Sequence, residues 1–449
     1  MTRLLIPGLL IGLAFAAPAV GQEAPRTLTL EQAIATAKEG NRPLKAVRQK
    51  VEQMRQTSSF VFSNFLPRLA TQANYMGSTN TGGIMLPRGS LGNLPELGGA
   101  FPPADLNVSQ GGQAFFFTYT TLSQPITHFF KIREGVRVAR ADEVAARANL
   151  AKAEQDVAFG VMRAYAGVLI AEQSLEVARV RVTATEQRVA YQKTAVQSGT
   201  AIEVAEREAR VKWLQARQEV LERQGEVDDL TYALTDALGL PPRTPVKLVM
   251  PAAPADTRLG QIEDYVRTAL ENNPDVLEAR ALVTKATHGV NAARADYIPE
   301  IGVQGLHFYQ NSVPFFPKNT LGFGLQGKWT ILDFGARRST IQSRRAQFAQ
   351  AEYNLTMVEG RVRGEVEGAY RKALRAKEIV ELAREGAALR TEAARLRINQ
   401  TAAGFAMAAA EREATADRME GALDLVKAEL GYRLALAELA KAAGTLART

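Results

Sequence analysis

The stretch TLGFGLQGKWTI, residues 320–331, decides how the chain is read. Leu321, Phe323, Leu325, Trp329 and Ile331 alternate with Gly322, Gly324, Gln326, Lys328 and Thr330, which sets an apolar face against a small and polar one. Successive side chains of a strand point to opposite faces, so this two-residue period is that of a strand with one dry side. Its length suits a membrane-spanning strand, which needs about 9–11 residues. Segments 68–78, 113–126 and 300–310 read as strands with it, and Phe115 to Tyr119 adds an aromatic cluster of the kind that forms the girdles of membrane barrels. A soluble sandwich sheet is the competing reading. Four strands joined by hairpins and fused to long helices have nowhere obvious to pack, however, which argues against it. A membrane barrel needs at least about eight strands and no open edge, so four per chain require several chains to share one barrel.

The sequence is written twice. Ala37, Glu39, Asn41, Val51 and Leu66-Pro67 recur as Ala269, Glu271, Asn273, Val283 and Ile298-Pro299 at a constant spacing of 232. Beyond the first strands the spacing is 205, pairing Ile126 with Ile331, Phe129 with Phe334, Val157 with Val362, Gly199 with Gly404, and Leu238-Gly239 with Ala443-Gly444. The drop from 232 to 205 marks a 27-residue insertion in the first copy. It falls in 77–112, a stretch rich in Gly, Pro, Ser and Asn with no period, as expected of a long exposed loop. The organisation expected is a first repeat over 22–240, a linker over 241–259 that opens on Pro241-Pro242, and a second repeat over 260–449.

Each repeat contains a long proline-free helical stretch, 131–197 in the first and 336–400 in the second, followed by return helices over 201–239 and 406–442. Val157, Val161, Ala164, Val168, Ala171, Leu175, Ala178, Val182, Thr185 and Val189 advance in alternating steps of four and three, and Val362, Val366, Ala369, Ala373, Ala376 and Val380 repeat the pattern. That is the 3.5-residue period of a coiled-coil seam, and each repeat therefore predicts a long antiparallel helical hairpin. The fold class expected is an internally duplicated α+β membrane protein of long coiled-coil helices and four transmembrane strands per chain.

The amino terminus supplies Arg3, an apolar run from Leu4 to Ala17 and small residues at Ala17-Pro18-Ala19-Val20-Gly21, which read as a signal peptide over 1–21. The run is shorter than the roughly 20 residues that span a bilayer as a helix. With no cysteine there is no disulfide, thiolate metal site or lipid-bearing cysteine. The formal charge of +8 comes from Lys and Arg interspersed with Glu, which suits solvated helix faces and not a nucleic-acid stripe. His128, His288 and His307 lie far apart in sequence, the nine methionines form no cluster, and no phosphate loop or nucleophile elbow occurs. No catalytic residue, cofactor or metal ligand is expected.

At this point the chain resembles the TolC family of outer-membrane efflux proteins over nearly its whole length. The residues that carry the resemblance recur in both repeats: Leu30-Glu31-Gln32-Ala33 with Asn41-Arg42-Pro43 and Ile262-Glu263 with Asn272-Asn273-Pro274, then Leu66-Pro67 and Ile298-Pro299. Gln124-Pro125-Ile126-Thr127-His128-Phe129 and Trp329-Thr330-Ile331-Leu332-Asp333-Phe334-Gly335 complete the set. The resemblance implies a homotrimer that gives four strands per subunit to one 12-stranded barrel set in outer-membrane lipid, continued by a periplasmic tube of helices. It implies docking onto a periplasmic membrane-fusion adaptor and an inner-membrane pump, and passive export of drugs, toxic compounds or secreted polypeptide. In the family the adaptor packs at helix-turn-helix tips, which here fall at Gln197, Ser198, Gly199, Thr200 and Glu203 and at Ala402, Ala403 and Gly404. The family's tip glycine and following aspartate correspond to Gln197 and Glu203 in one copy and to Ala402 and Ala408 in the other, so an acid is kept at the usual place only in the first copy; Glu411 is a candidate substitute for the entrance constriction. A trimeric surface adhesin or periplasmic scaffold without channel activity is the alternative function.

Overall fold

The structure is a computed structural model that describes residues 26–77, 83–109, 114–241, 244–253, 259–311, 317–403 and 408–446. The signal peptide read over 1–21 lies outside them. The element order is β1 (Arg26–Leu28), α1 (Leu30–Gly40), α2 (Arg42–Ser63), β2 (Arg68–Gly77), β3 (Gly83–Leu86), β4 (Asn93–Leu94), β5 (Gly99–Ala100), β6 (Leu106–Ser109), β7 (Ala114–Pro125), α3 (Phe129–Gln197) and α4 (Glu203–Ala237). It continues with β8 (Val246–Leu248), α5 (Ile262–Asn272), α6 (Pro274–Ala295), β9 (Glu300–Gln310), β10 (Asn319–Lys328), α7 (Ala336–Ala402) and α8 (Ala408–Ala442). Two short helices, two long strands and two long helices thus occur in the same order in each half. The stretch read as a long exposed loop carries paired strands, β3 with β6 and β4 with β5, and the stretch read as a linker carries β8. These strands are two to four residues long, too short to show a period.

Two compact units form, and their borders do not follow the two sequence copies. One takes the chain up to Arg42 with Val157–Thr257 and Arg375–Leu434; the other takes Pro43–Asp156, Arg258–Leu374 and the chain from Ala435.

In the first unit α1 begins with a capping box, in which the Gln32 amide donates to Thr29 Oγ1 at 3.3 Å and the Thr29 amide donates to Gln32 Oε1 at 3.0 Å. Behind it the apolar stripe of α3 is buried at Val161, Tyr165, Val168 and Leu169, against Ala33, Ala37, Leu234, Leu238 and Leu430. Tyr165 reaches past this core to tie β1 and β8, which pair in parallel. Its hydroxyl lies 2.9 Å from the Leu28 carbonyl and 2.6 Å from the Val249 carbonyl, and accepts the Val249 amide at 2.9 Å. Burial pushes this hydroxyl's pKa up, which keeps it a neutral donor. At the end of α4, Gly239 has φ +70, and a Cβ there would sit 2.5 Å from the Gly40 carbonyl oxygen. Only glycine fits both constraints. The Asn41 side-chain amide donates to the Ala237 carbonyl at 3.2 Å and fixes the same corner.

The second unit repeats these contacts with equivalent residues. Tyr370, which is Tyr165 plus 205, donates to the Gly260 carbonyl at 3.1 Å. Asn273 Nδ2 donates to the Ala442 carbonyl at 2.8 Å, and Gly444, with φ +74, packs on Asn272 where Gly239 packs on Gly40. Its core is Ala269, Val276, Val362, Val366, Ala369 and Leu439. Asp275, in the first turn of α6, is held by Lys152 and Arg361, each at 2.7 Å. Burial alone would raise the pKa of its carboxyl; hydrogen bonds from those two cations outweigh burial and hold it below the usual range.

The long strands of this unit form one antiparallel sheet in the order β10-β9-β7-β2. Pairing of Leu321 with His307, Phe323 with Gly305, Leu325 with Val303 and Gly327 with Ile301 sets the β10–β9 register. The ladder continues from Gly305 to Leu122 and from Leu122 to Leu69. Directly opposed residues share a face, so Leu69, Tyr75, Phe116, Leu122, Ile301, Val303, Tyr309, Leu321, Phe323 and Leu325 all stand on one side. The other side carries Arg68, Gln72, Asn74, Tyr119, Ser123, Gln304, Gln310, Gln326 and Lys328. The Phe323 ring lies over Gly305, where a Cβ would be 3.5 Å from it.

Candidate functional site: the helix tips and the sheet

At the first tip, α3 ends at Gln197 and the chain reverses through Gly199 at φ +71. The Ala195 carbonyl closes the turn, accepting the amides of Thr200 (2.9 Å) and Ala201 (3.1 Å) and the hydroxyls of Ser198 and Thr200 (both 3.0 Å). This left-handed glycine ending satisfies carbonyls that a helix terminus otherwise leaves open. Gln197, Ser198, Gly199, Thr200 and Glu203 are all exposed. Glu203 lies 3.6 Å from Arg207 one turn on, and Ile202 and Val204 present apolar surface beside it, 72% and 55% exposed. At the second tip, Ala402 and Ala403 are exposed at the end of α7, with the Ala403 amide bonded to the Asn399 carbonyl at 3.0 Å. Gly404 lies outside the described residues, and α8 starts at Ala408.

Glu411 sits half-buried in the first turn of α8, and its backbone carbonyl accepts the Thr415 hydroxyl at 2.9 Å. The acids that bridge from α8 to α3 are its neighbours. Glu413 pairs with Arg188 at 2.7 Å, and Glu420 pairs with Arg181 at 3.2 Å, with Glu219 of α4 3.6 Å from the same guanidinium. A cleft of about 400 Å³ lined by Arg181, Ala184, Thr185, Arg188, Glu413, Ala416 and Asp417 lies along this seam. No local pattern signals the Arg188–Glu413 and Arg181–Glu420 pairs, whose members are 225 and 239 residues apart.

On the sheet, Leu69, Tyr75, Leu321, Phe323 and Leu325 are between 65% and 78% exposed although all are large and apolar. The two edge strands, β2 and β10, have no pairing partner on their outer sides among the described residues. No described helix is long and apolar enough to cross a membrane. Near the sheet, His288 Nδ1 lies 2.7 Å from the buried Glu134 carboxylate, which also meets Arg137 at 3.0 Å and Arg133 at 3.4 Å. Burial raises the Glu134 pKa, but the His288 hydrogen bond and the arginine charges outweigh it and leave the group below its usual value. His128 lies 3.3 Å from Glu300, and among the described residues no group of His, Asp and Glu is placed to hold a metal ion.

Long helices, together with an antiparallel sheet that exposes one apolar face, define the class of the chain as a membrane protein of mixed helices and strands. The chain belongs to the outer membrane efflux protein family, which it matches over residues 33–240 and 265–445, and it is an outer-membrane protein. It is 23% identical over 305 residues to the outer membrane efflux protein BepC of Brucella suis biovar 1 (strain 1330), covering 66% of this chain and 64% of that one. It is 26% identical over 194 residues to the alkaline protease secretion protein AprF of Pseudomonas aeruginosa, covering 41% and 38%. The chain thus spans less than two thirds of either relative. Its fold matches that of the Campylobacter jejuni CmeC outer membrane channel with a TM-score of 0.74 at 16% identity, over 99% of this chain and 94% of that chain.

Proposed function

We propose that three copies of this chain form the outer-membrane exit duct of an efflux or type I secretion system, through which drugs, toxic compounds or secreted polypeptide pass. The apolar face of the sheet carries this reading. A four-stranded sheet with that face bare and both edges open is unstable in water and incomplete in lipid. Three copies would supply 12 strands, place Leu321, Phe323 and Leu325 against lipid, and leave Gln72, Gln304, Gln326 and Lys328 to line a wet lumen. The duct is passive and not an enzyme; an inner-membrane pump supplies the energy. A periplasmic membrane-fusion adaptor joins the two by packing on the tips at Gln197, Ser198, Gly199, Thr200, Glu203, Ala402, Ala403 and Gly404, with Ile202 and Val204 adding apolar contact. The entrance constriction is read at Glu411, with Glu413 and Glu420 holding that end of α8 to α3.

The test is to purify the chain in detergent, measure its mass and record conductance across a planar bilayer. A conducting trimer is the expected outcome. A water-soluble species without conductance overturns the duct and leaves the adhesin or scaffold.

A further inference from the structure

The positive charge of this chain is concentrated where the helices meet the sheet. The helix ends and connections at 52–67, 126–140, 284–299 and 329–347 hold eleven Lys and Arg against four Asp and Glu, a net +7 in a chain whose total is +8. The tip segments 186–214 and 390–420 hold ten against nine. Most acids at the sheet end are already engaged: Glu52 by Arg55, Asp296 by Lys131, Asp333 by Arg337, and Glu134 by Arg133 and Arg137. Arg140, Arg294, Arg338, Arg344 and Arg345 are exposed, and none has an acidic partner among the described residues. Arg338 and Arg345 are seven apart and share one face of α7, and Arg344 adjoins them. With a rise of about 1.5 Å per residue, all three lie within roughly 15 Å of the start of α7.

The same helix ends and connections carry exposed aromatic and aliphatic side chains: Phe60, Phe62, Leu66, Phe130, Tyr297, Trp329, Ile331, Leu332 and Phe334. Phe334 is 93% exposed and holds φ +49, whereas its counterpart Phe129 packs on Phe65 at 5.6 Å. An aromatic belt followed by unpaired cations is the pattern that meets a bilayer interface and then its anionic headgroups.

We infer that this junction binds anionic phospholipid headgroups on the periplasmic face of the membrane, through Arg338, Arg344 and Arg345 of α7, with Arg140 of α3 and Arg294 of α6 adding to the charge. The inference rests on the barrel reading above, because only an inserted sheet brings these arginines to that surface. It gives a chain without a lipid-bearing cysteine a second grip on its membrane, and it commits to a lipid surface because the cations follow directly on exposed apolar and aromatic side chains.

The experiment exploits the two tryptophans, Trp213 and Trp329. In Trp213→Phe protein, Trp329 alone reports from the belt. The full-length protein is reconstituted into phosphatidylcholine vesicles in which a minor fraction of either phosphatidylcholine or phosphatidylglycerol carries brominated acyl chains, which quench nearby tryptophan. Quenching by brominated phosphatidylcholine is expected, and phosphatidylglycerol is expected to quench as though enriched about fivefold over its bulk fraction at low salt. That preference falls towards unity in R338Q/R344Q/R345Q and at high salt. Absence of quenching by either lipid overturns the barrel reading and the inference with it. Equal quenching by both overturns the inference alone, as does a preference that survives the triple substitution. Loss of trimer mass in the triple variant with its lipid preference intact assigns these arginines to a neighbouring copy and likewise overturns the inference.

Discussion

Gly239 and Gly444 carry the same burden in the two halves, a left-handed backbone pressed against another main chain. Gly239→Ala adds a Cβ in a conformation it disfavours and 2.5 Å from the Gly40 oxygen, so a loss of about 1–3 kcal/mol is expected. Gly225→Ala, at an exposed position within α4 with nothing within 4 Å, should instead be neutral or gain up to about 1 kcal/mol. Thermal melting of the detergent-solubilised protein separates the two. Asp275 gives a pH signature. Its folded pKa lies below the unfolded value, so its stabilising effect is complete above about pH 4 and is lost as pH falls through the folded pKa. Asp275→Asn should lower stability by about 1–2 kcal/mol at neutral pH, with Lys152 and Arg361 left facing an uncharged amide, and the gap from the parent should close in acid. A gap that stays constant to pH 2 would remove Asp275 from that role. The Leu238-Gly239 and Ala443-Gly444 pair was visible in the sequence as a repeat, but its positive φ was not, because a conserved spacing says nothing of backbone sign. The Tyr165 clamp was invisible for another reason: its partners are backbone atoms, which leave no trace in side-chain identity.

At the level of elements, the alternation in Leu321–Ile331 is legible because each second residue is large and apolar, and the structure sets β10 over most of it. Less legible is β7, where Phe115, Phe116 and Phe117 run consecutively and mask the period; only pairing of Phe116 with Tyr75 and Phe117 with Asn74 assigns them to opposite faces. The short strands of the insertion and the β1–β8 pair could not be read, since two to four residues cannot display a period against a Gly- and Pro-rich background. The face assignment predicts an asymmetry within β10. Leu325→Arg places a charge on the apolar side and should cost about 2–4 kcal/mol of folding into lipid, whereas Gln326→Arg, one residue on, should be tolerated. Folding from urea into vesicles, followed by electrophoretic mobility, measures both. Equal tolerance of the two would contradict the assigned faces. The α3 stripe read as a coiled-coil seam is buried at Val161, Val168, Ala171, Leu175 and Ala178, so the 3.5-residue period was informative where the helix packs. What it left open is the partner, because Arg188 and Arg181 choose Glu413 and Glu420 of α8 by geometry that no local pattern encodes.

For the whole molecule, the repeat was readable from two constant spacings, yet the compact units cut across those copies. A repeat records ancestry, while compactness records which helix segments lie side by side. The absence of cysteine makes the assembly directly testable. One cysteine placed in β2 between Ala73 and Met76 and another in β10 between Leu321 and Leu325 cannot meet within one chain, since β7 and β9 separate them. Among a small scan of such pairs, at least one is expected to oxidise between neighbouring copies into covalent dimers and closed trimers. Species of four or more would rule out a ring of three.

The join between β7 and β9 has a historical meaning. It pairs the second strand of one hairpin with the first strand of the next, which is the same relation that the proposed ring requires between β10 of one chain and β2 of its neighbour. A half-length ancestor with one hairpin would therefore have closed the same ring from six separate molecules. Two hairpins in one chain make every other joint of that ring intramolecular and leave half of the joints to be formed between molecules. That arrangement also leaves the two hairpins free to diverge, and the 27-residue insertion carried by only one of them is the visible outcome.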